Sequence, residues 1–238
     1  MAVSNYVKQE LIAGGFPEDK ISIKPNFIPD TGEGAKDGNY AIYVGRLTVE
    51  KGLPSLLAAW QKRNSPIPLR IIGDGPLQPL VEDYAHRNAN IEYLGRLDLS
   101  LVLEHIGRAI CLVFPSEWPE PFGRAIIEAY SKGVPVVAAA TAPIRDMIQN
   151  GHTGILFQPG DGDECLEQII SLASDKIRLT GMQNNARHRY LAEYTEESNY
   201  QRLMQILHAA CSTSSDRIDA TSAHRNSAAL AVKNSDHR

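Results

Sequence analysis

What this 238-residue chain has little of narrows its chemistry before any motif is read. It holds three cysteines, Cys111, Cys165 and Cys211, odd in number, far apart and without CxxC spacing. Neither a disulfide framework nor a thiolate metal site is built that way, so they read as reduced thiols. Its seven histidines form no HxH or HExxH string and have no cysteine partner, which leaves metal ligation without support. No apolar run reaches the roughly 18 residues of a membrane span. The opening stretch, Met1 to Glu10, has no apolar segment of a signal peptide. A cytoplasmic location, peripheral to a membrane only through a partner, is the expectation. Positive charge is not in excess either: 24 Lys and Arg against 28 Asp and Glu leave a net charge of −4. That excludes an electrostatic case for nucleic acid.

What is present is ordinary for a soluble globular protein, with 43% apolar and 22% charged residues. The length suits one large domain or two small ones. Ser4 to Ala13 reads as a short helix capped by Ser4 and ended by Gly14-Gly15. Ile21 to Phe27 alternates like a strand, and Pro29 to Asn39 is a loop or hinge. From Tyr40 a strand–turn–helix pattern repeats. Short Val, Ile and Leu runs predict strands at Ala41–Val44, Leu69–Ile72, Ile91–Leu94, Ile110–Phe114, Val134–Ala138 and Ile155–Phe157. Their weak alternation marks strands buried on both faces. Helices are predicted between them, followed by two more at Lys176–Ala192 and Thr195–Cys211. The fold class is therefore α/β, a doubly wound Rossmann-like parallel sheet with C-terminal helices. The expected division is an N-terminal helix–strand and linker at 1–39, a Rossmann-like domain at 40–211 and a tail at 212–238. The tail, rich in Ser, Thr, Ala, Asp and Arg, cannot bury enough apolar surface to offset its ordering entropy and reads as disordered.

In such a sheet, ligands bind beyond the carboxyl ends of the strands, so the turns that follow strands carry the information. The first, Val44-Gly-Arg46-Leu-Thr-Val-Glu-Lys51-Gly, brings two cations to the mouth of the sheet, bracketed by Gly45 and Gly52. Arg offers bidentate contact and Lys a movable point charge, a pair that suits a diphosphate; alternatively they are a solvated pair, with Lys51 meeting Glu50. The second, Ile72-Gly73-Asp-Gly-Pro76, has neither the ending of a Walker loop nor a GxGxxG pattern, which argues against an ATPase and a dinucleotide dehydrogenase. The third, Tyr93-Leu-Gly-Arg96-Leu97, places Leu97 where either core packing or ligand contact would use it. The fourth is Phe114-Pro-Ser-Glu-Trp-Pro-Glu120-Pro-Phe122-Gly123-Arg124-Ala-Ile-Ile-Glu128. Here a buried strand runs through an acidic, proline-rich loop into a helix near Phe122. Phe122, Gly123 and Arg124 fall at its first turn, whose free N–H groups suit a phosphate or sugar oxygen. Glu120 and Glu128 have seven residues between them, about two helical turns, so they can address two ends of one long polar ligand. Read blandly, both are solvated helix charges and Trp118 covers core.

Taken together, these four turns closely resemble those of the retaining family 4 glycosyltransferases of the GT-B fold. The resemblance spans about Ser4 to Ala210 and covers the carboxyl-terminal, donor-binding half; the amino-terminal acceptor-binding half has no counterpart here. It implies that Glu120 bonds hydroxyls of the transferred sugar and Glu128 the ribose, while Arg46 and Lys51 hold the diphosphate. Gly45 and Gly73 would lie beside the nucleotide, Arg96 and Leu97 against the base. It further implies a nucleotide-diphosphate sugar as donor, no metal, an unknown acceptor, and a hexosyltransferase that retains anomeric configuration, of which the chain is either a gene fragment or one subunit, completed by a separate N-terminal-half subunit. The alternatives are a non-catalytic nucleotide-sugar-binding module and a nucleotide-sugar epimerase. If the first turn holds a diphosphate, Lys51→Ala weakens nucleoside diphosphate binding by about tenfold or more, the worth of a charge-assisted contact, whereas Glu50→Ala changes it little. Equal losses by titration calorimetry would remove the role given to that turn.

Overall fold

The computed structural model describes residues 1–63 and 65–211. The predicted strands form. Among the described residues, β1 (Ala41–Val44), β2 (Leu69–Ile72), β3 (Ile91–Tyr93), β4 (Cys111–Phe114), β5 (Val136–Ala139) and β6 (Gly154–Phe157) make one six-stranded sheet. Every neighbouring pair is parallel, and the order is β3-β2-β1-β4-β5-β6. The chain winds outward from β1 to β3, returns, and winds the other way from β4. The order therefore reverses between β1 and β4, where the loops leaving the two strands part and open a crevice.

Apolar side chains cover both faces of the sheet because each strand alternates between two helical layers. Ala41, Tyr43, Cys111 and Val113 join a core with α2 (Leu53–Arg63), α3 (Gln78–Arg87) and α7 (Gly162–Ser174). Ile42, Leu112 and Phe114 join the other, with α4 (Leu99–Arg108), α5 (Arg124–Ser131), α6 (Ala142–Met147) and α8 (Lys176–Glu193). The helix α2 shows how the sequence does this: Leu53, Leu56, Leu57 and Trp60 recur at helical spacing and are all buried, each contributing about 1.5–3 kcal/mol. The indole N–H of Trp60 donates to the Ile67 carbonyl at 2.9 Å, so that burial leaves no orphan donor. Cys111 and Cys165 lie sealed in the first core, burial alone pushing the Cys111 thiol up to about 12.

Ahead of the sheet, α1 (Asn5–Ala13) is capped as predicted: the Ser4 hydroxyl accepts from the Val7 N–H. The strand expected over Ile21–Phe27 does not form. Only an isolated bridge joins Ile23 to Ala2, and Pro25, without an N–H, uses its carbonyl to accept from Asn199 Nδ2 at 2.6 Å. Alternation is a local signal, but a strand needs a neighbour along its whole length, and among the described residues the ladder here is two backbone bonds to Ala2. The loop that follows is a strap. Gly34, Lys36 and Gly38 donate their N–H groups to the carbonyls of Lys132, Gly107 and Arg108, and the Lys132 ammonium reaches the Thr31 hydroxyl at 2.8 Å. Contacts group Met1–Asn199 as one compact unit and set the chain from Tyr200 onward apart. Residues 196–211 are helical. The disordered tail expected over 212–238 lies outside the described residues.

At the point of reversal, Gly52 ends a short 3-10 turn (Val49–Lys51) with φ 72°, and a Cβ there would come within 2.0 Å of the Pro115 carbonyl oxygen. No L side chain tolerates both. Gly52→Ala is expected to cost about 2 kcal/mol or more, lowering Tm by roughly 5 °C in a domain of this size; an unchanged melting curve would contradict the close approach of the two loops.

Candidate functional site

Backbone contacts hold together the two loops at the reversal. The Glu50 carbonyl accepts from the Glu117 N–H at 3.0 Å and from the Ser116 hydroxyl at 3.3 Å. With Gly52 pressed on Pro115, the loop after β1 lies directly against the loop after β4. Across this seam Lys51 Nζ meets Glu120 Oε2 at 2.6 Å, the two side chains 26% and 14% exposed. The predicted alternative, Lys51 pairing with Glu50, is not what forms. The second oxygen, Glu120 Oε1, is buried and has no hydrogen-bond partner among the described residues. Lys51, Glu120, Glu50, Pro121 and Trp118 line a shallow cleft. Trp118, expected over core, is 61% exposed there. Proline on both sides of it denies the loop the regular structure that would fold it inward.

Sequence reasoning missed Tyr43. On β1 its ring lies in the core, and its hydroxyl donates to the Arg46 carbonyl at 2.7 Å, tying the turn to the strand. Burial first, then the nearby Glu120 and Glu50 carboxylates, hold its phenol well above the usual range. A tyrosine in a strand of otherwise aliphatic residues was the available signal, since a buried hydroxyl must find an acceptor.

A second cleft is lined by Gly45, Arg46, Gly73, Asp74, Arg96 and Leu97 with Val44, Ile72 and Val102. Three successive turns are stitched together beneath it. Gly45 N–H donates to Ile72 O, Gly73 N–H to Gly95 O and Leu47 N–H to Asp74 O, at 2.8–3.0 Å. Gly73 has φ 145°, and a Cβ there would fall 1.8 Å from the Gly45 carbonyl oxygen, so glycine is required by the neighbouring turn. Arg96 lies mostly in solvent and pairs loosely with Asp74 at 3.4 Å. Leu97 packs on the core, one of the two expected roles, and its side also lines the cleft.

The helix α5 begins at Arg124 with Gly123 as its N-cap, slightly later than predicted. Gly123 does not leave its N–H free, because that group faces the Met147 thioether at 3.4 Å. The space a Cβ would need is filled by Ile126, 2.5 Å away, so packing sets its size. Phe122 meets Tyr194 edge to face, with ring centroids 6.4 Å apart. Ser4 donates from its hydroxyl to the Pro121 carbonyl at 2.8 Å, fixing the end of the loop that bears Glu120. Glu128, 6% exposed, accepts from Arg124 Nε at 3.0 Å and makes no ion pair with Arg46 or Lys51 among the described residues. Arg124 stands at the positive end of the helix dipole, an unfavourable place for a cation that its carboxylate partner offsets. Burial raises the Glu128 carboxyl above its ordinary value, against the pull of Arg124.

One Asp-x-Asp string does occur, Asp161-Gly-Asp163. Asp161 caps α7 by accepting from the Glu164 N–H, and Asp163 is engaged by Lys62 and Arg63. Among the described residues no group of three or more His, Cys, Asp or Glu is placed to hold a metal ion, and no helix is long and apolar enough to cross a membrane.

A doubly wound parallel sheet with these turns at its point of reversal is a Rossmann-like half of the GT-B kind. Residues 27–189 match the family described as glycosyl transferases group 1, and the chain belongs to that family. It is 35% identical over 138 residues to the sulfoquinovosyl transferase SQD2 of Arabidopsis thaliana, covering 57% of this chain and 26% of that protein. It is 30% identical over 159 residues to the glycogen synthase of Mycobacterium tuberculosis, covering 64% of this chain and 38% of that one. Among solved structures it resembles Anabaena HepE in complex with UDP, with TM-score 0.76 and 22% identity over 87% of this chain and 63% of HepE. The chain thus spans about a quarter to two fifths of the length of these two curated relatives.

A carboxyl raised by burial binds its proton more tightly folded than unfolded, so its contribution to stability falls as pH rises from its ordinary 4.5 through the raised value. Glu128→Gln removes that penalty. The variant is expected to melt at or above the wild-type temperature at pH 7, with a flatter pH dependence, while binding nucleoside diphosphates about tenfold or more weakly. A variant both destabilised and undiminished in binding would contradict a functional Glu128.

Proposed function

We propose that this chain is the donor-binding half of a retaining family 4 glycosyltransferase that moves a hexose from a nucleotide-diphosphate sugar to an acceptor hydroxyl. The observation that carries this reading is the meeting of Lys51 and Glu120 across the crevice at the sheet's reversal. The pair brings a cation that suits a diphosphate and a carboxylate that suits sugar hydroxyls into one cleft, where a single ligand carrying both parts can reach them. The UDP in HepE, and UDP with glucose in a second HepE structure, support it as ligands of a protein with this fold.

In this mechanism Lys51 and Arg46 stabilise the charge that develops on the departing diphosphate, an electrostatic contribution made in place. Glu120 accepts from sugar hydroxyls and orients the anomeric carbon. Glu128 accepts from the ribose, with Arg124 opposing the rise that burial gives its carboxyl, and Leu97 and Arg96 pack on the base beside Gly73 and Gly45. The acceptor hydroxyl attacks on the face the diphosphate leaves and gives its proton to the departing phosphate oxygen, so a new C–O bond replaces the one broken, configuration is retained and no metal takes part. An acceptor-binding half completes the enzyme.

Titration calorimetry with UDP-glucose and GDP-mannose tests the binding step; heat from either at micromolar concentration is expected, and none from both would overturn the reading. Transfer to acceptor is expected only after a Rossmann-like acceptor half is added, and unchanged with EDTA. Donor binding without transfer under any pairing would leave a binding module instead, and interconversion of free sugar nucleotides an epimerase.

A further inference from the structure

We infer that Glu120 sets the site's preference for a sugar nucleotide over the bare nucleoside diphosphate, because it holds Lys51 until sugar hydroxyls replace it. The inference rests on the proposed function and adds a discrimination to it. In the ligand-free chain the Lys51 ammonium is committed to Glu120 Oε2 at 2.6 Å. A diphosphate that recruits Lys51 must first separate this pair. The carboxylate left behind is 14% exposed, and its other oxygen is already buried without a partner. A partly desolvated carboxylate stripped of its counter-ion and short of donors is unfavourable.

The two ligands differ in what they return to it. A bare diphosphate brings only acceptor oxygens to this end of the site, which repel the carboxylate. A sugar brings hydroxyl donors, one for Oε2 as Lys51 leaves and one for the orphan Oε1. Lys51 moves from carboxylate to phosphate, its charge balanced in both states, and Glu120 gains hydrogen bonds in exchange. The cost of opening the pair therefore falls on the spent nucleotide and is offset for the loaded one, which favours release of product over its retention. Tyr43 and the Glu50–Glu117 backbone bond hold the two loops in place, so the exchange is made by side chains alone.

The test compares dissociation constants of UDP and UDP-glucose, and of GDP and GDP-mannose, for the wild-type chain, Glu120→Gln and Lys51→Met, by titration calorimetry with melting curves as a check on folding. Glu120→Gln frees Lys51 without changing the shape of the cleft. It is expected to bind the nucleoside diphosphate about tenfold more tightly than wild type, about 1.4 kcal/mol, and to lose at least that factor from its preference for the sugar nucleotide. In Lys51→Met the same glutamine substitution is expected to raise diphosphate affinity by much less, because it relieves only the repulsion and releases no lysine. Glu120→Ala serves the same purpose should the glutamine variant not fold. Unchanged or weakened diphosphate binding in the Glu120 variant overturns the inference, as does an equal gain in the Lys51→Met background. If the wild-type chain binds none of the four ligands, it is the proposed function that fails.

Discussion

The ion pair between Lys51 and Glu120 is the contact around which the rest of the site is arranged. It joins residues from two loops that leave adjacent parallel strands, at the one place where the winding of the sheet changes direction. Beyond the short 3-10 turn at Val49–Lys51, neither loop has regular structure to hold it. The seam is instead closed by main-chain groups: the Glu50 carbonyl accepts twice from the loop after β4, and Gly52 lets the Pro115 carbonyl come close. With the backbones joined in this way, the charged tips have little freedom to miss each other. A contact between partly buried charges is worth having only when its geometry is fixed beforehand, and here the main chain does the fixing.

Support extends outward from that seam in both directions. Beneath it, Tyr43 anchors the Arg46 carbonyl to β1. To one side, the turns after β1, β2 and β3 exchange backbone bonds in series. To the other, Ser4 holds the Pro121 carbonyl, and Gly123 sits on Met147 and Ile126. The residues offered to a ligand are thus carried on turns whose own hydrogen bonds are already made, leaving Arg46 and Trp118 as exposed side chains at the mouth. Orientation is built into the scaffold before any ligand arrives.

How much of this could be read beforehand depended on the range of the signal. The strands of the sheet were legible because two-sided burial demands unbroken Val, Ile and Leu, and such runs are local. So were the turns, since Gly45, Gly52 and Gly73 punctuate them and cations stand beside them. What escaped were pairings between residues far apart in the chain. Ser4 and Pro121, or Gly123 and Met147, lie 117 and 24 residues apart, and no spacing rule links them. Ile21–Phe27 misled for the same reason, since its alternation describes the segment and says nothing of whether a partner strand lies alongside. Lys51 was placed in the correct turn, yet its partner Glu120 lies in another loop, where local reading offered Glu50.

The two cysteines sealed in the core give the chain a built-in record of its own integrity. Cys111 sits on a central strand and Cys165 on a helix packed over it, both fully enclosed, and the thiolate that alkylating and oxidising reagents require is disfavoured there. Cys211 is at the surface. A thiol reagent therefore meets one sulfur in the native protein and all three only once the layer of helices lifts from the sheet, which makes the number of modified sulfurs a direct chemical measure of opening.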